Sequence, residues 1–184
     1  MRLTAIEKPP GLLMRIAYFL SRRQLGTVIR PLKLIYARAP LLAIPVLAIT
    51  RTAERGLSLE QELVLLVTTH ASLLNGCSFC ADLHQAQAIQ AKLGLDKFRA
   101  LREFESSPLF SEREAAALAY CEEATRNHEV ADSSFARVRA HFSEREIVEL
   151  TWLIAIGNFF NLMSLCLEFE SDGLAARLAA GPGR

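Results

Sequence analysis

Glycine and proline are scarce, at 9 and 7 of 184 residues, which excludes a collagen-like or loop-dominated chain. Charged residues make up 22% against 51% hydrophobic, so intrinsic disorder is excluded as well. Four cysteines are too few for a disulfide-built scaffold of this length. No segment sustains the apolar/polar alternation of a half-buried strand. A secretory leader is also missing: Arg15 interrupts the apolar stretch from Gly11 to Leu20, and Ala37-Arg38-Ala39 comes after further charges, so a cytoplasmic protein is expected. Basic residues are rarely interleaved with aromatics and no DNA-binding motif occurs, so nucleic acid is not an expected partner.

The chain does carry a polarity of charge. Residues 1–55 hold 10 Lys and Arg against 2 Asp and Glu, while residues 56–184 hold 11 against 18. A basic segment folding over the acidic remainder, or over a neighbouring subunit, explains this more simply than a basic arm for anionic lipid. One domain is the expectation for this length: a basic helical extension over 1–56 packed on the core, an all-helical domain over 57–178, and a frayed tail over 179–184. The uncharged run Leu150 to Leu167 reaches the lower length of a membrane span. Thr151, Gly157, Asn158, Asn161 and Ser164 interrupt it, which favours a buried helix covered on nearly all sides by neighbours or other subunits.

Helix punctuation recurs along the chain and points to an all-α fold. Ser111-Glu112-Arg113-Glu114 and Ser143-Glu144-Arg145-Glu146 are S-x-x-E capping boxes, and Ser58-Leu59-Glu60-Gln61 is the S-x-x-Q form. Asn75-Gly76, Gly94 and Pro108 mark stops. Pro9-Pro10 suits entry to a helix over Leu12 to Arg23, and Pro31, Pro40 and Pro45 break the next stretch into short pieces. Glu62-Leu63-Val64-Leu65-Leu66 is echoed by Glu146-Ile147-Val148-Glu149-Leu150, a weak sign of internal helical duplication.

The chemistry-bearing stretch is Asn75-Gly76-Cys77-Ser78-Phe79-Cys80-Ala81-Asp82-Leu83-His84. If the Asn-Gly break opens a new helix, both thiols occupy its first turn, where free N–H groups and the dipole favour thiolate. His84, four residues after Cys80, shares its face and can exchange a proton with it. Spacing of three permits a Cys77–Cys80 disulfide. Zinc would need four ligands, and only the distant Cys121 or His70 could complete such a set. Cys121 and Cys166, solitary on apolar faces, read as core residues.

Asn-Gly-Cys-x-x-Cys-x-x-x-His after an apolar helix, with Gly94-Leu95 further on, resembles the carboxymuconolactone decarboxylase superfamily, and more narrowly its alkylhydroperoxidase, AhpD-like branch. The later stretches from Ser111, from His141 and at Asn158-Phe159-Phe160-Asn161 resemble its second half, so the resemblance covers about residues 57 to 170. It implies a multi-helix bundle assembling as a homo-oligomer, a trimer or hexamer. It also implies a thiol peroxidase or disulfide reductase cycle with no bound cofactor or metal. Cys80 would be the attacking thiolate, Cys77 the resolving thiol and His84 the proton carrier. A peroxide or other small molecule would be the substrate, and a peroxiredoxin or lipoyl-bearing protein the electron partner.

The chain departs from that pattern where the family's relay glutamate precedes the first motif cysteine by twelve residues, because Leu65 stands there. Glu62 is a substitute about 4.5 Å further along the helix axis. His70, on the stripe of Leu66 and Leu74, is a second candidate, and Glu149, at the place of Leu65 in the internal echo, a third, its pKa expected to rise on burial. Phe79 stands where the family has a histidine and is expected to shape an apolar access to the thiols. Asn158 and Asn161 read as helix–helix hydrogen-bonding groups. Two other functions remain open: cofactor-free, decarboxylase-like chemistry on a small carboxylated lactone, which needs a cationic pocket, and a non-catalytic redox sensor or interaction protein whose Arg-rich segment from Leu12 to Arg38 binds a membrane or partner.

Overall fold

Gln61-Glu62 opens an apolar sequence in which every residue from Leu63 to Ser72 is buried, too continuous for a one-faced helix. A computed structural model, describing residues 2–9 and 11–180, makes this helix, α3 (Gln61–Leu74), the axis of the protein. Around it pack α4 (Ser78–Gln90), α6 (Glu112–Asn127) and α8 (Glu144–Cys166). The remaining helices are α1 (Leu12–Leu25), α2 (Ala43–Arg55), α5 (Asp96–Arg99), α7 (Asp132–Arg139) and α9 (Leu174–Ala179), with no strand among the described residues. The all-α expectation holds.

Two of the three expected capping boxes form. Ser111 and Ser143 each accept the backbone N–H three residues on, while Glu114 and Glu146 reach back to the cap N–H. Ser58 does not cap α3: its N–H and its hydroxyl both donate to Glu149 Oε2 at 2.7 Å, and α3 starts after Glu60 with no side-chain cap. A carboxylate offered by α8 has taken the hydroxyl that local sequence assigned to a cap. Helix α3 ends at Asn75-Gly76 as expected, Gly76 adopting a φ of +73°. Helix α4 stops before Gly94: Lys92 takes the left-handed conformation at φ +58°, and Leu93 N–H returns to the Ala88 carbonyl. Packing of Leu93 against the core decides this Schellman ending over the glycine two residues on.

The basic N-terminal segment lies against acidic groups of the C-terminal end. Arg2 Nε meets Glu168 at 2.9 Å, and Arg30 meets Asp172 at 3.1 Å and Glu170 at 3.6 Å. Asp82 of α4 accepts the Leu174 and Ala175 N–H groups at the start of α9. These ties carry the segment back toward α4. The tail expected to fray over 179–184 falls largely on residues 181–184, outside the described residues; Ala179 closes α9.

Helix α8 is only half covered by its own chain. It is long and apolar enough to cross a membrane by length and composition, yet it is not covered on nearly all sides within the described chain. Leu150, Leu153, Ile154 and Asn161 are buried, while Val148, Ala155, Phe159, Leu162 and Leu165 form an exposed stripe at helical spacing. The inner face packs on α3 and α6. The described residues leave the outer face uncovered.

Candidate active site

Gly76 turns the backbone sharply between α3 and α4, and Cys77 becomes the N-cap of α4. Its sulfur accepts the Cys80 N–H at 3.3 Å, which puts both cysteines on the first turn, among N–H groups that lack helical partners. The two are joined as a disulfide with Cα atoms 5.4 Å apart. Both are nearly inaccessible from outside, at 3% and 4% exposure. Cys80 opens inward on a cavity of about 670 Å³.

From Cys80 the cavity runs along α4 past Leu83, His84 and Gln87, the stripe a 3.6-residue period prescribes. Leu65 and Thr68 of α3 and Gly157, Phe160 and Ser164 of α8 form further walls. The opposite wall comes from the N-terminal segment: Ile35, Tyr36, Leu42, Val46, Ile49 and Ala53. No charged side chain lines it among the described residues. Phe79 lines it too, edge-on to Phe169 at 5.7 Å, so the expected apolar access has an aromatic wall.

Two side chains set the electrostatics near Cys80. Ser164 Oγ lies 3.5 Å from Cys80 Sγ. The partly buried His84 ring is held down to about 4, because desolvation penalises the imidazolium more than the Thr68 backbone carbonyl favours it. Its Nδ1 is buried without a hydrogen-bond partner. His84 is therefore a neutral imidazole at rest, able to accept a proton.

The other candidates sit elsewhere. Glu62 pairs with Lys97 at 3.4 Å, and Lys97 also holds Glu114 at 2.7 Å. His70 Nε2 faces Glu122 at 3.4 Å and its ring packs edge-on to Phe104; desolvation lowers its pKa, with Glu122 opposing. Neither lines the cavity. Glu149 is not the raised acid that burial suggested: desolvation is outweighed by Arg145 and by both Ser58 donors, and its pKa falls. Cys121 is a core residue beside the Val67 carbonyl, its thiol pushed up to about 12 by burial. Cys166 is exposed rather than core, since it falls on the outer side of α8. No group of three or more His, Cys, Asp or Glu among the described residues could hold a metal ion.

The pattern of the carboxymuconolactone decarboxylase family matches residues 46–123, from within α2 to within α6. The protein YnjA of Escherichia coli K12 is 30% identical over 176 residues, covering 95% of this chain and 96% of that one. The chain belongs to the carboxymuconolactone decarboxylase family. An Agrobacterium tumefaciens structure described as a putative AhpD antioxidant defence protein is 29% identical, with a TM-score of 0.70 over 75% of this chain and 96% of that one. The debrominase Bmp8, solved with 2,3,4-tribromopyrrole, shares the fold at a TM-score of 0.82, with 19% identity over 98% of this chain and 97% of that one.

The chain carries Cys77, Cys80 and His84 on one helix, with Cys80 and His84 both lining the cavity. Leu65 presents an isobutyl group to the cavity at the position where the resemblance placed a glutamate. Two features of the site escape a reading of the sequence. Ser164 stands out there only as a polar interruption of an apolar run, with nothing in the chain pointing from it to Cys80 across 84 residues. The cavity wall from residues 29–53 is unreadable because most of its side chains are ordinary aliphatics.

Proposed function

We propose that this protein is a thiol-dependent oxidoreductase that reduces an uncharged, apolar organic hydroperoxide with the Cys77–Cys80 pair. The observation that carries the reading is the joined pair at the start of α4, with Cys80 and His84 both opening into a cavity free of charged side chains among the described residues. A carboxylated lactone would need a cation there, and no Lys or Arg among the described residues lines the wall. The antioxidant description of the A. tumefaciens relative is in keeping with this chemistry.

In the reduced protein, His84 takes the Cys80 proton and the thiolate attacks the terminal peroxide oxygen. The O–O bond breaks, sulfur is oxidised to sulfenic acid, and the departing alkoxide receives the proton from His84 as alcohol. Cys77 then attacks Cys80, water leaves and the disulfide closes. A dithiol donor, small or protein-borne, returns the pair to two thiols and is itself oxidised. Phe79 and Phe169 shape the approach of the organic group. Such a cycle suits the reducing cytoplasm, and the outer stripe of α8 is the face through which copies associate into a trimer or hexamer, since large exposed apolar patches mark interfaces.

The test is to reduce the protein, add one equivalent of cumene hydroperoxide, and map the thiols by alkylation and mass spectrometry. A new Cys77–Cys80 disulfide, absent in Cys80→Ser and replaced by a dimedone-trapped sulfenic acid in Cys77→Ser, is the expected result. Thiols that stay reduced while the peroxide persists would refute the reading.

A further inference from the structure

Thiol chemistry needs a thiolate near neutral pH, and an apolar chamber raises a thiol's pKa. Here Leu65 stands where the resemblance placed a glutamate, and no charged side chain among the described residues lines the cavity to favour the thiolate. Beside the imidazolium that His84 becomes on taking the Cys80 proton, the described lining has only dipoles to offer the thiolate. The first turn of α4 supplies one set, but the N–H that reaches a sulfur, that of Cys80, goes to Cys77. The side-chain group that meets the Cys80 sulfur is the Ser164 hydroxyl, at 3.5 Å.

We propose that Ser164, projected from α8 across the cavity, is the group that holds the Cys80 sulfur and stabilises its thiolate, supplying a hydrogen bond where no Asp, Glu, Lys or Arg among the described residues lines the chamber. This deepens, and rests on, the thiol-oxidoreductase reading. In the disulfide state Cys80 Sγ carries no proton, so the hydroxyl donates to it. In the reduced state the same hydroxyl donates to the thiolate once the Cys80 proton has left. Ser164 is buried at 5% exposure, and its hydroxyl oxygen lies 3.5 Å from Cys80 Sγ. Its placement is set by the wider packing of α8: Asn161, one turn earlier, accepts from Ser72 at 3.2 Å, and Asn158, a turn and a half earlier, accepts from Asn75 at 2.7 Å. Those bonds fix the rotation of α8 against α3 and aim position 164 at the thiol.

The experiment measures iodoacetamide alkylation of reduced protein across pH 5 to 10, with fragment ions separating Cys80 from Cys77, beside the rate of oxidation by cumene hydroperoxide. Ser164→Ala is expected to raise the Cys80 pKa by about one unit and slow oxidation at pH 7 by about threefold to tenfold, the range set by how far nucleophilicity offsets lost thiolate. Ser164→Thr, which keeps the hydroxyl, is expected to stay within about twofold of wild type on the same scale. Unchanged pKa and rate in Ser164→Ala would overturn the proposal, as would equal losses in the Ala and Thr variants, which would show a packing role. Ser164→Val, which has the shape of the Thr variant without its hydroxyl, is read against Ser164→Thr and replaces the Ala variant if that fails to fold. If wild-type Cys80 resists peroxide altogether, the peroxidase reading falls, while the alkylation profile still decides the role of Ser164.

Discussion

Leu65 of α3 and His84 of α4 line the same cavity, and the His84 Nδ1 is buried with no hydrogen-bond partner. The described lining offers that nitrogen no carboxylate, and Leu65 stands where the resemblance placed one. Leu65→Glu is expected to give that nitrogen an acceptor and raise the His84 pKa from about 4 by at least about one unit, read by NMR titration of the ring. Leu65→Gln, which brings no charge, should leave it nearly unmoved. Equal titration in all three proteins would show that position 65 does not reach the histidine.

Acid sensitivity arises from the same ring. Its folded pKa of about 4 lies below the usual 6.5, so between those values the unfolded chain binds the proton more readily. The contribution is fully present above pH 6.5 and is lost as pH falls toward 4. Over that window it amounts to about 3 kcal/mol. Chemical denaturation at pH 7 and pH 4.5 should show wild type losing more stability than His84→Asn; equal losses would contradict the burial argument.

The outer face of α8 exposes Val148 by 68% and Leu162 by 64%. Light scattering after size exclusion is expected to find a trimer or hexamer for wild type and a smaller species for Leu162→Arg, with the same helical content by circular dichroism. A monomeric wild type at tens of micromolar would remove the proposed interface.

Gly157 sits inside α8, where a Cβ would meet only the Ala71 Cβ, at 3.9 Å. That is ordinary contact, so Gly157→Ala should relieve the helix cost of glycine and stabilise the protein by about 0.5 to 1 kcal/mol. The expected rise in Tm is about 1 to 4 °C. A fall would show that the cavity wall at Gly157 has no room to give.

Much of the helical order is legible in the sequence because its signals are local. Ser111 and Ser143 cap as their S-x-x-E patterns require, Gly76 turns where Asn75-Gly76 stands, and Cys80 and His84, four residues apart on α4, line one cavity. Ser58 fails as a cap because Glu149, 91 residues away, competes for it. The placements of Glu62 and His70 are illegible for a related reason: which neighbour faces a helical side chain depends on how the helices rotate against one another.

The sequence by itself determined the helices, the family and the spacing that lets Cys77 and Cys80 join, since periodicity, caps and a three-residue separation act within one or two turns. Only the tertiary structure decided that the cavity carries no charge among the described residues, that residues 29–53 supply one of its walls, and that Ser164 meets Cys80. Those depend on contacts between segments up to more than a hundred residues apart, whose orientation is fixed by packing of the whole core around α3.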